Sequence, residues 1–220
     1  MATLLNIAPH WEEVTAHSLK WNQLLMAALR GCVFSQLLED KATRLNYMEA
    51  VKDPEIRTVV FYDHGSGQGL VEDGGAGYIL DERNLDTVKG KEVYTMCCLT
   101  AGDLGKEAYR RGTPTWWGYI REFSFMAHAE EIYGRLANMG LLLVKNDGLT
   151  WRQAYDAVIE AFNEEIKKAE TGDPWVEITL INNRDALVCW ADWNPPTELT
   201  LLERIIKWIL DFLRRILGLP

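Results

Sequence analysis

The chain has 220 residues, and a prior of roughly 150 residues per domain makes it one domain, or one domain with a tail. Its composition, 48% apolar and 25% charged, provides enough apolar side chains for a core, which excludes a disordered tail and a disulfide-stapled miniprotein. The formal net charge of −9 gives no overall positive field for phosphate backbones, so we do not expect nucleic acid as the main partner.

The cysteines indicate a reducing compartment. Only four are present, and two of them, Cys97 and Cys98, are adjacent, a spacing that rarely forms a structural disulfide. The first residues lack the basic start and apolar run of a secretory signal, and no apolar stretch of about 18 residues is free of charge. We therefore expect a cytoplasmic protein without a membrane-spanning helix.

Apolar runs alternate with segments of helical periodicity along the first 126 residues. The patterns predict strands at 3–7, 32–38, 57–62, 92–96 and 113–119, and helices at 11–30, 43–51 and 103–111. This order is typical of a mostly parallel sheet with helices on both faces, a three-layer α/β/α sandwich. Residues 65–90, rich in Gly, Asp and Glu, are predicted to form a long mobile loop with at most one short ordered piece, and such loops are usually functional.

The remaining residues are predicted to complete this domain, 1–192, and to add a tail. Helices are expected at 127–138 and 150–169, followed by a hairpin of strands 176–181 and 186–190 at the sheet edge. Residues 193–220 are predicted to form a Pro-containing linker and an amphipathic helix at 197–219. That helix is expected to pack on the globular domain, to form homo-oligomers or to make a peripheral membrane contact.

Two chemically useful side chains follow successive strands of the predicted sheet. His64 comes directly after the strand at 57–62, and Cys98 follows the strand at 92–96. Ligands of parallel sheets bind beyond the carboxyl ends of the strands, so these side chains are expected in one cleft. A thiol needs a neighbouring base to act as a nucleophile near neutral pH, and an imidazole can supply it. The pair therefore predicts a His64/Cys98 catalytic dyad.

The backbone around this dyad predicts an oxyanion hole. Gly65 lets the chain pass close to a bound carbonyl, so its N–H and the N–H of Cys98 are expected to stabilise a tetrahedral oxyanion. The helix that begins soon after Cys98 is expected to lower the pKa of the thiol. Cys-x-x-Cys and His-Glu-x-x-His spacings are missing from the sequence, so we expect no metal site.

Two motifs resemble those of a known family. Phe61-Tyr62-Asp63-His64-Gly65-Ser66 ends one strand with His-Gly, and Tyr94-Thr95-Met96-Cys97-Cys98-Leu99-Thr100-Ala101 ends the next with a small residue and a cysteine. In this order they resemble the caspase-like cysteine peptidases, which include caspases, metacaspases, gingipains, legumains and clostripain-like enzymes. The resemblance covers roughly residues 1–125. It implies a caspase-hemoglobinase-like fold and makes Cys98 the nucleophile, with Cys97 in the small-residue position.

The resemblance also implies where substrate binds. Trp116 and Trp117 lie on the strand that lines the substrate pocket in the family, and strand alternation allows at most one of them to face the cleft. Relatives that cleave after Lys or Arg carry an acidic residue where this chain has Met96, so basic specificity is not implied. Asp63, beside the histidine, is a further pocket candidate, and Asp63, Asp103 or a carboxylate of the 65–90 segment could supply a negative charge.

Together these features predict a cysteine endopeptidase that hydrolyses peptide bonds through a thioester. Its expected partner is a protein or peptide substrate, and its chemistry needs no cofactor. The alternative is a catalytically silent caspase-like scaffold that acts by oligomerisation or by membrane association. The choice between the two thiols as partner of His64 stays open. Cys97 and Cys98 are adjacent, so strand alternation points them to opposite faces and only one of them can face His64.

Overall fold

The computed structural model describes residues 2–196, so the helix predicted at 197–219 lies outside the described residues. The first part of the chain contains β1 (Ala2–Ala8), α1 (Glu13–Ala28), β2 (Cys32–Leu38), α2 (Arg44–Ala50), β3 (Ile56–Tyr62), β4 (Gly65–Ser66), β5 (Gly69–Val71) and β6 (Tyr78–Asp81). The second part contains β7 (Glu92–Met96), α3 (Asp103–Arg110), β8 (Thr115–Tyr119), α4 (Glu130–Asp147), α5 (Trp151–Ala169), α6 (Pro174–Ala186) and β9 (Leu187–Trp190).

The main sheet has six strands in the order β2-β1-β3-β7-β8-β9. All neighbours are parallel except β9, which pairs antiparallel with β8 at the edge. β3 lies inside the sheet and is buried on both faces apart from Arg57, as its nearly continuous apolar sequence predicts. The prediction of a mostly parallel sheet is therefore confirmed.

Helices cover both faces of this sheet. Alternate residues of each central strand enter opposite cores, so that Tyr94 and Trp117 pack with α1, α4, α5 and α6, whereas Val93 and Trp116 pack with α2 and α3. The architecture is accordingly α/β, with six helices and six main-sheet strands in residues 2–196, consistent with three layers. Within that range, none of the helices combines the length and apolar character needed to cross a bilayer.

The prediction that residues 65–90 form a long mobile loop with at most one short ordered piece is wrong, because the segment contains three strands. β4, β5 and β6 form a second, antiparallel sheet of three strands. Leu70, Ile79 and Leu80 from this segment are fully buried in the core on the α2/α3 side of the main sheet. Asp81 anchors the segment by accepting hydrogen bonds from Arg44 and Arg83. The strands have two to four residues, too few to produce a readable alternation.

The predicted hairpin at 176–190 is correct for its second strand and wrong for its first. β9 adds to the sheet edge antiparallel, as expected, but its partner is β8 rather than the segment before it. That segment is α6, whose start is fixed by the Asp173 carboxylate, which accepts the N–H groups of Trp175 and Val176, and by Pro174 in the first turn. The expected turn residues form the end of this helix, where the buried Asn183 donates to the carbonyl of Ser124.

Candidate functional site

A small pocket lies at the carboxyl ends of β3 and β7. In the register of these two parallel strands Tyr62 is opposite Met96, and the N–H of Asp63 donates to the carbonyl oxygen of Met96. The residues that follow each strand therefore leave the sheet side by side. The pocket has a volume of about 70 Å³ and is lined by Val14, Thr15, Ser18, Trp21, Asp63, His64, Met96, Cys97, Cys98, Phe123 and Phe125.

Gly65 packs directly against the chain that carries the cysteines. A Cβ on this residue would lie 2.8 Å from the carbonyl oxygen of Cys98, 2.5 Å from Cγ2 of Thr100 and 3.0 Å from Sγ of Cys97. Only glycine fits at such a distance, because real side chains do not approach backbone oxygens so closely. The backbones of Gly65 and Cys98, which carry the two predicted oxyanion donors, are thus in contact.

A sharp turn follows β7 at the cysteine pair. Leu99 adopts a left-handed conformation with φ of 65°, which is uncommon for a residue with a branched side chain. Its N–H donates to the carbonyl of Arg121, and the N–H of Ala101 donates to the carbonyl of Tyr119, so that the end of β8 and the residues after it hold the turn. Strained residues of this kind cluster at functional sites.

Cys98 is the half-exposed thiol of the pair. Its Sγ accepts a hydrogen bond of 3.3 Å from the N–H of Phe123. Burial raises the pKa of the thiol, the Glu122 carboxylate also raises it, and the Phe123 N–H opposes both. The helix expected to lower this pKa begins only at Asp103, and the net direction of the shift is upward because burial dominates.

Cys97 is buried, and its Sγ lies 3.0 Å from Oγ1 of Thr100. Burial raises the pKa of this thiol to about 12, so it remains protonated across the physiological range. It belongs to the core on the α2/α3 side of the sheet, although part of it reaches the pocket wall. Cys98 is consequently the thiol of the pair that solvent and ligands can reach.

The imidazole of His64 contacts a carboxylate that no sequence motif singles out. Its Nε2 bonds to Oε1 of Glu12, and its ring packs on Trp11 with the ring centroids 5.5 Å apart. Within residues 2–196 no hydrogen bond joins His64 to Cys98. Glu12 is held at the start of α1, because its N–H donates to Oγ1 of Thr15 and its carbonyl accepts from that hydroxyl.

Asp63 is a buried carboxyl group of the pocket that is only partly hydrogen-bonded. It is 6% exposed, and its Oδ1 accepts the N–H of His64 at 2.6 Å. Its Oδ2 has no hydrogen-bond partner among the described residues. Burial raises the pKa of this carboxyl to about 8, and the charges of Glu12 and Asp73 act in the same direction.

The other pocket candidates divide between wall and core. Met96 lines the pocket. Trp116 and Trp117 do not line it: both are buried, and Trp117 stacks on Tyr94 with the ring centroids 5.4 Å apart. The core packing of these rings explains their placement without a ligand.

The aromatic wall of the pocket comes instead from Trp21, Phe123 and Phe125, which sequence reasoning missed. Trp21 belongs to α1, and the two phenylalanines lie between β8 and α4. The rings of Trp21 and Phe125 meet edge to face with their centroids 5.1 Å apart. The two phenylalanines follow the end of a strand, and this position is the one sequence signal that could have indicated that Phe123 and Phe125 line the pocket.

The fold and the pocket define a class: an α/β protein with a thiol, an imidazole and a buried carboxyl at the carboxyl edge of a parallel sheet. No group of three or more His, Cys, Asp or Glu side chains that could hold a metal ion occurs within residues 2–196. No protein-family model matches the chain, and no curated protein matches it.

Proposed function

We propose that the protein is a cysteine endopeptidase of the caspase-like type, in which Cys98 is the nucleophile and His64 the proton shuttle. The observation that carries the proposal is the juxtaposition at the pocket. His64 and Cys98 follow adjacent parallel strands and line the same cavity, and Cys98 is the more accessible of two neighbouring thiols. The order strand-His-Gly, then strand-small-Cys, with helices on both sheet faces, supports the caspase-like assignment.

The contact with Glu12 determines which ring nitrogen acts as the base. A carboxylate only accepts hydrogen bonds, so the Nε2 of His64 carries the proton and Nδ1 keeps its lone pair. Nδ1 is then free to take the proton of the Cys98 thiol. Because burial raises the pKa of that thiol, His64 acts as a general base on a neutral thiol rather than as the partner of a preformed thiolate.

The reaction then balances without a cofactor. As Sγ of Cys98 attacks the peptide carbonyl carbon, its proton passes to His64, and the N–H groups of Gly65 and Cys98 stabilise the oxyanion. His64 next gives that proton to the leaving amine, and the C–N bond breaks to leave a thioester. Water, deprotonated by His64, hydrolyses the thioester and restores the thiol. The substrate is a protein segment bound in an extended form along the strand ends.

A second candidate function is a catalytically silent scaffold of the same fold. Two observations favour it: His64 bonds to Glu12 rather than to Cys98, and the pKa of Cys98 is raised. A scaffold would act by oligomerisation or by peripheral membrane contact through residues 197–219. It predicts that Cys98→Ala changes nothing, whereas truncation after Pro196 changes assembly.

A library of internally quenched peptides that covers all twenty side chains at the cleaved position tests the proposal. We expect cleavage by the wild type and by Cys97→Ala, the matched control that removes the neighbouring buried thiol. Cys98→Ala and His64→Ala are each expected to lower kcat/KM by about a thousandfold or more. Circular dichroism of each variant verifies that it is folded. Cleavage that survives Cys98→Ala, or no cleavage by the folded wild type, would overturn the peptidase proposal.

A further inference from the structure

We propose that Asp63 forms a binding site for a cationic side chain, so that the substrate is a peptide with lysine or arginine at the position held in this pocket. The inference rests on the proposed peptidase function and names its substrate class. It differs from the basic specificity of the relatives, whose acidic residue stands where this chain has Met96. The charge would come here from the neighbouring strand, at the residue before the histidine.

The burial of Asp63 without a cation is the observation that carries this inference. The side chain is 6% exposed, and Oδ2 has no partner among the described residues. No side-chain nitrogen of a Lys, Arg or His in residues 2–196 lies within 4.0 Å of its carboxyl oxygens, and the charges that act on it, Glu12 and Asp73, are both negative. Buried carboxylates are normally paired or fully hydrogen-bonded, so this carboxyl lacks the partner that its position requires.

The walls of the pocket suit the rest of a basic side chain. Trp21, Phe123 and Phe125 provide aromatic surface, and Met96 provides a flexible apolar side chain. The aliphatic stem of lysine or arginine packs well on such surfaces, and aromatic rings attract the cation itself. The cationic head would supply the N–H donors that Oδ2 lacks. A cation at that distance favours the ionised carboxyl, which offsets the burial that otherwise keeps Asp63 protonated.

Asp63 has a structural task as well, which the test must separate from charge recognition. Its Oδ1 accepts the N–H of His64 and so holds the histidine backbone. Asp63→Asn is the suitable variant, because the amide oxygen can still accept that N–H while the negative charge is lost. A merely structural role predicts the same effect on every substrate, whereas a specificity role predicts an effect on cationic substrates alone.

The first measurement compares kcat/KM for matched peptides that differ only at the side chain in the pocket: lysine against norleucine, and arginine against citrulline. In the wild type we expect the cationic peptide of each pair to be preferred about tenfold or more, as for a buried hydrogen bond between charged groups. In Asp63→Asn the ratio is expected to fall to about one, whatever the absolute rates. A wild-type ratio near one, or a ratio that Asp63→Asn leaves unchanged, would overturn the inference.

A binding measurement keeps this result separate from the fate of the peptidase proposal. n-Butylguanidinium and its neutral isostere n-butylurea are titrated into the full-length wild type, Cys98→Ala and Asp63→Asn, and followed by NMR shifts of the pocket residues. We expect the guanidinium to bind the first two proteins at the pocket and to lose affinity about tenfold or more in Asp63→Asn. This result with no peptide cleavage would reject the peptidase and keep the cation site. Equal binding of both compounds would reject the cation site even if peptides are cleaved.

Discussion

Two acidic side chains lie at opposite ends of the same pair of strands, and their environments differ. At the amino ends of β3 and β7, Glu92 accepts hydrogen bonds from Lys145, from Nε1 of Trp151 and from the hydroxyl of Thr58, its register partner on β3. These donors outweigh burial and lower the pKa of the carboxyl. At the carboxyl ends, Asp63 has one backbone donor, and burial raises its pKa to about 8.

This difference in hydrogen bonding distinguishes a structural carboxyl group from a functional one within the same sheet. Glu92 is a half-buried carboxylate whose two oxygens are both hydrogen-bonded; such a group contributes to the folded state, and its partners come from the protein itself. A buried carboxyl with a free oxygen in a pocket costs stability, and it is usually retained where a ligand supplies the missing partner. We therefore assign the Glu92 edge to stability and the Asp63 edge to binding and chemistry, and the following predictions test that division.

Lys145→Met tests the satisfied edge and has the largest effect on stability expected of one substitution at a single pH. It leaves the Glu92 carboxylate without its cation, so we expect the free energy of unfolding to fall by about 3 kcal/mol in a urea titration. Peptide cleavage is expected to stay within a few-fold of the wild type. The double variant Glu92→Gln with Lys145→Met removes the unpaired charge and is expected to recover part of the loss. Loss of peptide cleavage in a folded Lys145→Met variant would contradict the assignment of the Glu92 edge to stability alone.

Gly65→Ala tests the contact that joins the two strand ends at the pocket. The new Cβ would meet the Cys98 carbonyl oxygen at 2.8 Å, so the two backbones must move apart. A displacement of reacting groups on this scale costs about a hundredfold in rate, and we expect kcat/KM to fall by that factor. Gly67→Ala, where a Cβ meets nothing within 4 Å, is the matched control and is expected to retain cleavage. Equal loss in both variants would mean that the whole segment, rather than this contact, is sensitive.

The sequence predicts the sheet well, because the central strands are buried and strongly apolar. β2 and β7 have the predicted bounds, and β3 begins one residue earlier. α6 was missed since the run Val176–Ile181 is rich in β-branched residues, which favour strands. The signal for a helix was nevertheless present, in the capping pair Asp173-Pro174. The strand propensity of this run is a stronger local signal than the cap, but tertiary packing stabilises the helix in the folded protein.

The pocket was predictable only where its residues follow strands. His64, Cys98, Asp63 and Met96 line it because parallel strands bring their carboxyl ends to one edge. Glu12 and the aromatic wall come from α1 and from the connection after β8, and no local pattern indicates which helix lies over a sheet edge. Their positions depend on three-dimensional packing between segments that are far apart in sequence.

Asp63 should make stability depend on pH in a way that Asp63→Asn abolishes. The carboxyl has an ordinary pKa of 3.8 in the unfolded chain and about 8 in the native state, so between these values unfolding releases a proton. The stabilising contribution is complete below about pH 4, declines by about 1.4 kcal/mol per pH unit, and is lost once the pH passes about 8. Urea titrations of both proteins from pH 4 to 9 measure the difference. Parallel curves would show that Asp63 ionises normally in the folded protein.

The smallest expected effect concerns the N–H of Phe123, the stronger of two backbone N–H groups that oppose the effect of burial on the pKa of Cys98. Phe123→Pro removes the donor to Sγ, whereas Phe123→Ala keeps the donor and removes only the ring. We expect the midpoint of pH-dependent alkylation at Cys98 to lie about one unit higher in the proline variant than in the alanine variant, since a thiolate loses one charge-assisted hydrogen bond. The alanine variant should titrate at or below the wild type, because it is less buried. An equal upward shift of the alkylation midpoint in both variants would mean that the ring of Phe123, rather than its N–H, sets the pKa of the Cys98 thiol. The nucleophile would then depend on packing alone.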